Sequence, residues 1–469
     1  MTETVRQRLA LVASVAGAMI VALDGTVLTV AQPELQRDLG ASVEQVQWTS
    51  TGYMLAVAAL LVIAGRLGDR YGHQRLLLLG VLGFGATSGG IMLAPDVGWV
   101  IGLRALQGVF GALLQPATLA LLRLAYPADK LNTPVAIRTS SIGVAAATGP
   151  VLGGFLVTHF GWRAVFAVNV PIALVIAVFV LFVRVPAPSG GERQRLDLLG
   201  SALLAATLTV FVHTLGAIPR DGWSAASTLL GFFATAGLAV ALVVHERRTA
   251  NPIVPPAVLR SVPVTASMAI LLLTTSGMFG ALFVGTFSLQ DVLGLDPFAA
   301  GLRVLPMTVL MVVGAPVAAG ALSRYGARRC AIAGTLLVAF GIVGLVRIES
   351  AGTWWITGLS FAVLGAGFAT VMVTATGTVV GDAPAGYAGV VGGLKQTAMN
   401  IGPTLGITVA ATMMVVQPSY GGVPATASSP AVSLGLGHTL LVLAAIAALA
   451  ALPGWLLPSR ASRTVEVAN

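Results

Sequence analysis

Gly65-Arg66-Leu67-Gly68-Asp69-Arg70-Tyr71-Gly72 stands between two apolar runs, near residues 45–64 and 76–94. A run of about twenty apolar residues covers the hydrocarbon core of a bilayer at about 1.5 Å per residue. Charge gathered in a glycine-rich octet between two such runs belongs at the water interface. The octet therefore reads as the tight turn between two membrane-crossing helices. Working outward with the same window places spans near 9–33, 45–64, 76–94, 97–122, 135–158 and 164–183. Two more follow near 198–218 and 223–244, and six near 263–289, 300–322, 327–347, 353–375, 386–416 and 436–457. The expectation is an all-α integral membrane protein with about fourteen transmembrane helices.

Composition leads to the same class. Of 469 residues, 56% are hydrophobic and 9% charged, and the mean hydropathy is +0.92; a soluble domain carries roughly a quarter charged residues. The 56 Gly and 24 Pro do not indicate disorder in so apolar a chain. One cysteine, Cys330, and five scattered His supply neither a disulfide nor a metal-ligand spacing, so no cofactor and no metal is expected. The net charge of +9 would suggest nucleic acid in a soluble chain. Here the basic residues lie between the spans, and no nucleic-acid partner is expected.

Their distribution orients the chain. With a cytoplasmic N-terminus, alternate loops hold Arg6, Arg8, Arg66, Arg70, Arg75, Arg123, Lys130, Arg138 and the later clusters, nineteen of the 26 basic residues. The opposite loops hold five: Arg37, Arg163, Arg220, Arg303 and Arg347. The positive-inside rule then puts both termini in the cytoplasm. Arg6 and Arg8 ahead of an apolar run also suit a secretory leader, but Asp24-Gly25-Thr26 makes a poor cleavage site, so the run is read as the first helix.

Two landmarks recur. Arg70-Tyr71-Gly72 returns as Arg324-Tyr325-Gly326, and Gly149-Pro150-x-x-Gly153 returns as Gly402-Pro403-x-x-Gly406. The offsets, 254 and 253 residues, are nearly equal, which implies parallel duplication of a six-span bundle. The expected organisation is an N-terminal six-helix bundle over 1–183, a linker with two extra transmembrane helices over 184–260, and a C-terminal six-helix bundle over 261–469.

These residues also carry a family resemblance over nearly the whole chain. The octet at 65–72 resembles the signature loop of the major facilitator superfamily, and Leu103-Arg104-Ala105-Leu106-Gln107-Gly108 resembles its fourth-helix motif. Gly149-Pro150-Val151-Leu152-Gly153-Gly154 resembles the fifth-helix motif associated with antiporters. Leu23-Asp24-Gly25-Thr26-Val27 running to Pro33, Gln47-Trp48, Tyr53, and Gly161-Trp162-Arg163 with Phe166 and Asn169-Val170-Pro171 are similar to the fourteen-helix drug:proton antiporter branch. The chain departs from the pattern at His73-Gln74, Thr29, Gln32, Ala145 and Ser323. The resemblance implies the major facilitator fold, no cofactor, and efflux of lipophilic drugs or antibiotics in exchange for protons. It further implies a gate at Gly65, Asp69, Arg70 and Gly72, and a helix face at Gly149, Pro150, Gly153 and Gly154 that seals against proton leak. The alternatives are a solvated loop for the first and ordinary small-residue helix packing for the second.

The residues supply an argument of their own. Asp24 is the one acid well inside a span, and an intramembrane carboxylate is costly unless paired or wetted. Asp24 lies about 22 Å from the inner start of its span, and Arg104 about 10 Å from the outer start of the fourth, so both have similar depth. Burial favours the neutral acid and a nearby cation favours the carboxylate, so the pair is a candidate for proton coupling; a static structural ion pair is the alternative. Lys395 either snorkels to the inner surface or meets an anionic substrate. Thr26, Tyr53, Gln107, Gln115 and Asn400 are candidates to line a largely apolar substrate cavity, or are packed helix contacts.

Other classes lack their residues. No nucleophile, metal cluster or carboxylate pair suggests an enzyme, no ring of charge or filter sequence suggests a channel, and no GxxxxGK[ST] loop suggests a nucleotide-driven pump. Within transporters, proton-coupled uptake of a small-molecule nutrient is the alternative to export. The expected setting is a monomer in the cytoplasmic membrane, with protons and a lipophilic substrate as its partners.

Overall fold

The computed structural model describes residues 3–127, 132–183, 197–222, 224–249, 258, 260–346, 354–382, 388–415 and 430–458, and among them it contains helices and turns but no strand. Most of the two polar stretches near 184–197 and 245–260, with Lys130, Arg184, Arg193, Arg195, Arg460 and Arg463, lies outside the described residues. A helix satisfies every backbone group within its own segment, the requirement that hydrocarbon imposes. Eleven described helices are long and apolar enough to cross a membrane, and a further one has a shorter apolar stretch, Leu199–Leu215.

The first compact unit comprises residues 1–209 with 238–251. It contains α1 (Glu3–Leu39), α2 (Val43–Tyr71), α3 (His73–Met92), α4 (Val97–Ala125), α5 (Asn132–Phe160), α6 (Arg163–Ala167) and α7 (Asn169–Phe182). Polar residues define the helix starts. Ser42 Oγ accepts from Gln45 N at 3.2 Å while the Gln45 side chain accepts from Ser42 N at 2.9 Å, a capping box that begins α2. Asp96 caps α4 by accepting from Trp99 N at 3.0 Å. The span near 164–183 is a broken helix: Pro171 has no N–H to give and its ring crowds the preceding turn, and the break at Val168 separates α6 from α7. Arg138, counted from sequence with a cytoplasmic loop although it falls at the edge of the span near 135–158, lies inside α5, and its side chain reaches oxygens of α4.

Two helices, α8 (Leu198–Asp221) and α9 (Ala226–Arg248), follow. Asp197 caps α8 through Gly200 N at 2.9 Å and contacts His245 Nε2 near the end of α9 at 2.8 Å. Among the residues of α9 Thr228 is buried and the others are half-buried or exposed, as suits a helix that faces lipid over much of its surface.

The second unit comprises residues 210–237 and 252–469. It contains α10 (Val262–Phe287) with a π-helical turn at Ser288–Val292, α11 (Pro297–Tyr325), α12 (Ala327–Leu345), α13 (Trp354–Gly381), α14 (Ala388–Val415), α15 (Pro430–Leu449) and the short α16 (Ala451–Gly454). It repeats the packing of the first: α1 on α5, α2 on α4, α3 on α4 and α3 on α7 correspond to α10 on α14, α11 on α13, α12 on α13 and α12 on α15. The turns repeat too. Gly72 at φ +98° and Gly326 at φ +82° take backbone angles that side chains disfavour, and each follows an Arg stacked on the next Tyr, at 5.3 Å for Arg70 and 5.4 Å for Arg324.

The Gly-Pro motifs bring one helix pair together in each unit. A side chain at Gly149 would collide with Thr26, and one at Gly406 with the Ser276 carbonyl. Because backbone cannot swing aside as a side-chain tip can, Gly406→Ala is expected to cost about 1–3 kcal/mol. Gly25→Ala, whose new methyl meets nothing within 4 Å, is expected to be neutral or stabilising by roughly 0.5–1 kcal/mol, as for other helical glycines. Thermal melting of the purified protein in detergent compares them, and equal melting points would contradict the packing.

Candidate functional site

Asp24 sits in the middle of α1 with 1% of its surface exposed, and Arg104, two turns into α4, has the same figure. Arg104 Nη1 donates to Asp24 Oδ2 at 2.5 Å. The same nitrogen donates to Gln107 Oε1 at 2.6 Å, and Nε donates to the Thr49 carbonyl at 2.9 Å. Gln107, three residues after Arg104, shares its helix face. Tyr53 places its ring 4.4 Å from the guanidinium carbon, with Phe166 at 5.7 Å. Such aromatic faces favour a desolvated cation. Tyr53 is brought in because α2 packs tightly on α4: its carbonyl lies where a side chain at Gly108 would have to stand.

The carboxylate has two further donors. Asn169 Nδ2 donates to Asp24 Oδ1 at 2.9 Å, and Gln107 Nε2 lies 3.5 Å from the same oxygen. Gln107 Nε2 also donates to Ser88 Oγ at 2.7 Å, which Asn169 Nδ2 approaches at 3.4 Å. The break at Val168 makes Asn169 the first residue of α7. One titratable carboxylate thus stands among neutral donors and a single cation.

The other sequence candidates fall in different places. Tyr53 and Gln107 belong to this network, and Tyr53 Oη is buried without a hydrogen-bond partner among the described residues. Thr26 Oγ1 bonds back to Ala22 and Leu23 carbonyls at 3.2 and 3.1 Å and packs on Gly149, a helix-packing contact. The Gln115 carbonyl accepts from Thr118 and Arg138, while its side-chain amide bonds to no described residue. In the second unit Lys395 is half-buried, and Asn400 Nδ2 is buried without a described partner. At the octet, Gly65 lies beside Pro116, Gly68 against the His73 ring, and Arg70 is exposed; the Asp69 side chain is outside the described residues. Pro150, Gly153 and Gly154 are buried in α5.

Sequence reasoning did not select Asn169, Ser88 or the Thr49 carbonyl as site groups. Asn169 is a polar residue in an otherwise apolar run two places before a proline, which marks it; nothing marks Ser88. Nor was Asp38 selected. Its Oδ2 accepts from Trp162 Nε1 at 2.8 Å and Arg163 Nη1 at 2.6 Å, joining the end of α1 to α6. No group of His, Cys, Asp and Glu among the described residues is arranged to hold a metal.

Residues 15–407 match the family described as the Major Facilitator Superfamily. Over 405 residues the chain is 42% identical to a tetracenomycin C resistance and export protein of Streptomyces glaucescens, covering 86% of this chain and 75% of that one. It is 33% identical over 398 residues to the multidrug efflux pump LfrA of Mycolicibacterium smegmatis, with 84% and 78% covered. Among solved structures, a peptide transporter POT in complex with sulfate has the same fold at a TM-score of 0.64 and 18% identity, covering 96% of this chain and 95% of that one.

Proposed function

Because the chain belongs to the major facilitator superfamily, we propose that it exports lipophilic small molecules, antibiotics among them, across the cytoplasmic membrane in exchange for protons. The observation that carries the proton half is the Asp24–Arg104 pair, fully buried in a multi-pass membrane protein and held by neutral donors and acceptors on several helices. An intramembrane acid so placed is a functional group by default. The substrate half is supported by the relatives, which bear the names of a resistance and export protein and of a multidrug efflux pump.

In this reading the chain catalyses no covalent chemistry, needs no cofactor and works as a monomer with both termini in the cytoplasm. Its N-terminal bundle of residues 1–183 and C-terminal bundle of residues 261–469 alternate access to the substrate, and the segment 184–260 adds two helices. The octet with Gly65, Asp69, Arg70 and Gly72 latches one state, and the α5 face at Gly149, Pro150, Gly153 and Gly154 closes the proton path. Lys395 and Asn400 line the substrate route.

A pump-deficient host expressing the chain, challenged with a panel of neutral, anionic and cationic lipophilic antibiotics, tests the reading. Reduced susceptibility to at least one class is expected, with accumulation of that compound in inverted vesicles that collapses when the pH gradient is dissipated. Unchanged susceptibility together with proton-driven efflux from inverted vesicles would instead establish uptake.

A further inference from the structure

The first unit holds a second inward guanidinium that the proton pair leaves unused. Arg138 of α5 is half-buried. Its Nε and Nη2 donate to Thr118 Oγ1 at 3.2 and 2.8 Å, and Nη2 lies 3.4 Å from the Gln115 carbonyl. Both partners are neutral oxygens, and Thr118 Oγ1 itself donates to the Gln115 carbonyl at 2.9 Å. From the other side Ser14 Oγ donates to the Thr118 carbonyl at 2.6 Å, so α1, α4 and α5 converge on this one turn. Among the described residues no carboxylate pairs with Arg138, whereas Arg104 is matched by Asp24.

A cation within a membrane helix is costly unless paired, and neutral oxygens offset only part of that cost. A guanidinium carries five N–H donors in a planar fork that fits an oxyanion bidentately. Thr118 Oγ1 and the Gln115 carbonyl, both of α4, are the oxygens it meets among the described residues, and neither carries a charge.

We propose that the Arg138 guanidinium forms a binding point for an oxyanion: the carboxylate or phenolate of a lipophilic substrate, or the phosphate of a lipid. As a substrate site it rests on the export reading and deepens it. The charge of Arg104 is cancelled in place and that of Arg138 is not, so the first unit favours acidic over cationic compounds.

The test measures binding, which does not depend on transport. The full chain in zwitterionic-lipid nanodiscs is titrated with 2-naphthoate and with methyl 2-naphthoate, a neutral analogue of nearly the same shape. The naphthoate is expected to bind about tenfold tighter or more, and Arg138→Gln should remove that preference while leaving the ester unchanged, with Arg138→Lys retaining part of it. Gln still reaches Thr118, and an uncompensated charge is lost, so the melting temperature of Arg138→Gln should be equal or higher. Repeating the titration with phosphatidylglycerol separates the sources. A preference that survives assigns the site to substrate, and one that phosphatidylglycerol abolishes in the parent assigns it to lipid phosphate. Equal binding of acid and ester in both lipids, or a preference that survives Arg138→Gln, would overturn the proposal, as would a lower melting temperature with unchanged preference. Should the acid bind as expected while vesicles show no export, the oxyanion site stands and the transport reading fails.

Discussion

Asp24→Asn is expected to reduce export driven by a pH gradient to the background of empty vesicles. The amide keeps the shape of the carboxylate but cannot carry the proton. It still accepts through one oxygen, yet leaves Arg104 buried at 1% exposure without its counter-ion. Removing one partner of such a pair costs about 3–5 kcal/mol. The variant should therefore also melt earlier, even where it inserts normally. Proteoliposomes give the decisive measurement: addition of substrate should release protons from the parent and none from the variant. An Asn variant that exports fully under a pH gradient would remove Asp24 as the proton carrier and leave the pair a structural one.

Arg104→Leu is expected to stall the transporter for the opposite reason. Without its cation the buried Asp24 carboxylate loses its counter-charge, and Asn169 and Gln107, being neutral, only partly compensate a charge in this setting. If the pair carries the proton, the midpoint of the transport pH profile should move in the alkaline direction, with partial recovery of export at alkaline external pH. The double variant, Asp24→Asn with Arg104→Leu, should melt above either single variant and not pump, because the unpaired charge disappears along with the titrating group. A profile of Arg104→Leu that falls in amplitude with the parent's midpoint would show two neighbours without energetic coupling.

These expectations draw unequally on sequence and on folding. The membrane class was legible in the sequence because hydrocarbon selects composition one residue at a time: a run of apolar residues long enough to span must be a helix, whatever it packs against. The duplication was legible for a related reason. Gly72 and Gly326 serve a backbone angle, and Gly149 and Gly406 a close approach, that few other residues permit, so each copy keeps its glycine. The depth of Asp24 and Arg104 was likewise a matter of counting along two helices.

Contact is another matter. Equal depth leaves the rotation of each helix open, and only the packing of α1, α2, α4 and α7 turned Asp24, Tyr53, Arg104 and Asn169 onto one point. Ser88 and the Thr49 carbonyl could not be read in advance, since a serine in an apolar run and a backbone oxygen look alike wherever they occur. Arg138 shows the limit most plainly. By sequence it was one more positive charge near an inner loop, and tertiary structure drew it against Thr118 and Gln115. The sequence alone determined the solvent, the helices and their repeat, because those follow from local chemistry and length. Which charges meet a partner and which are left without one was decided by tertiary structure, because pairing depends on helix rotation and approach, and the same apolar pattern permits many rotations.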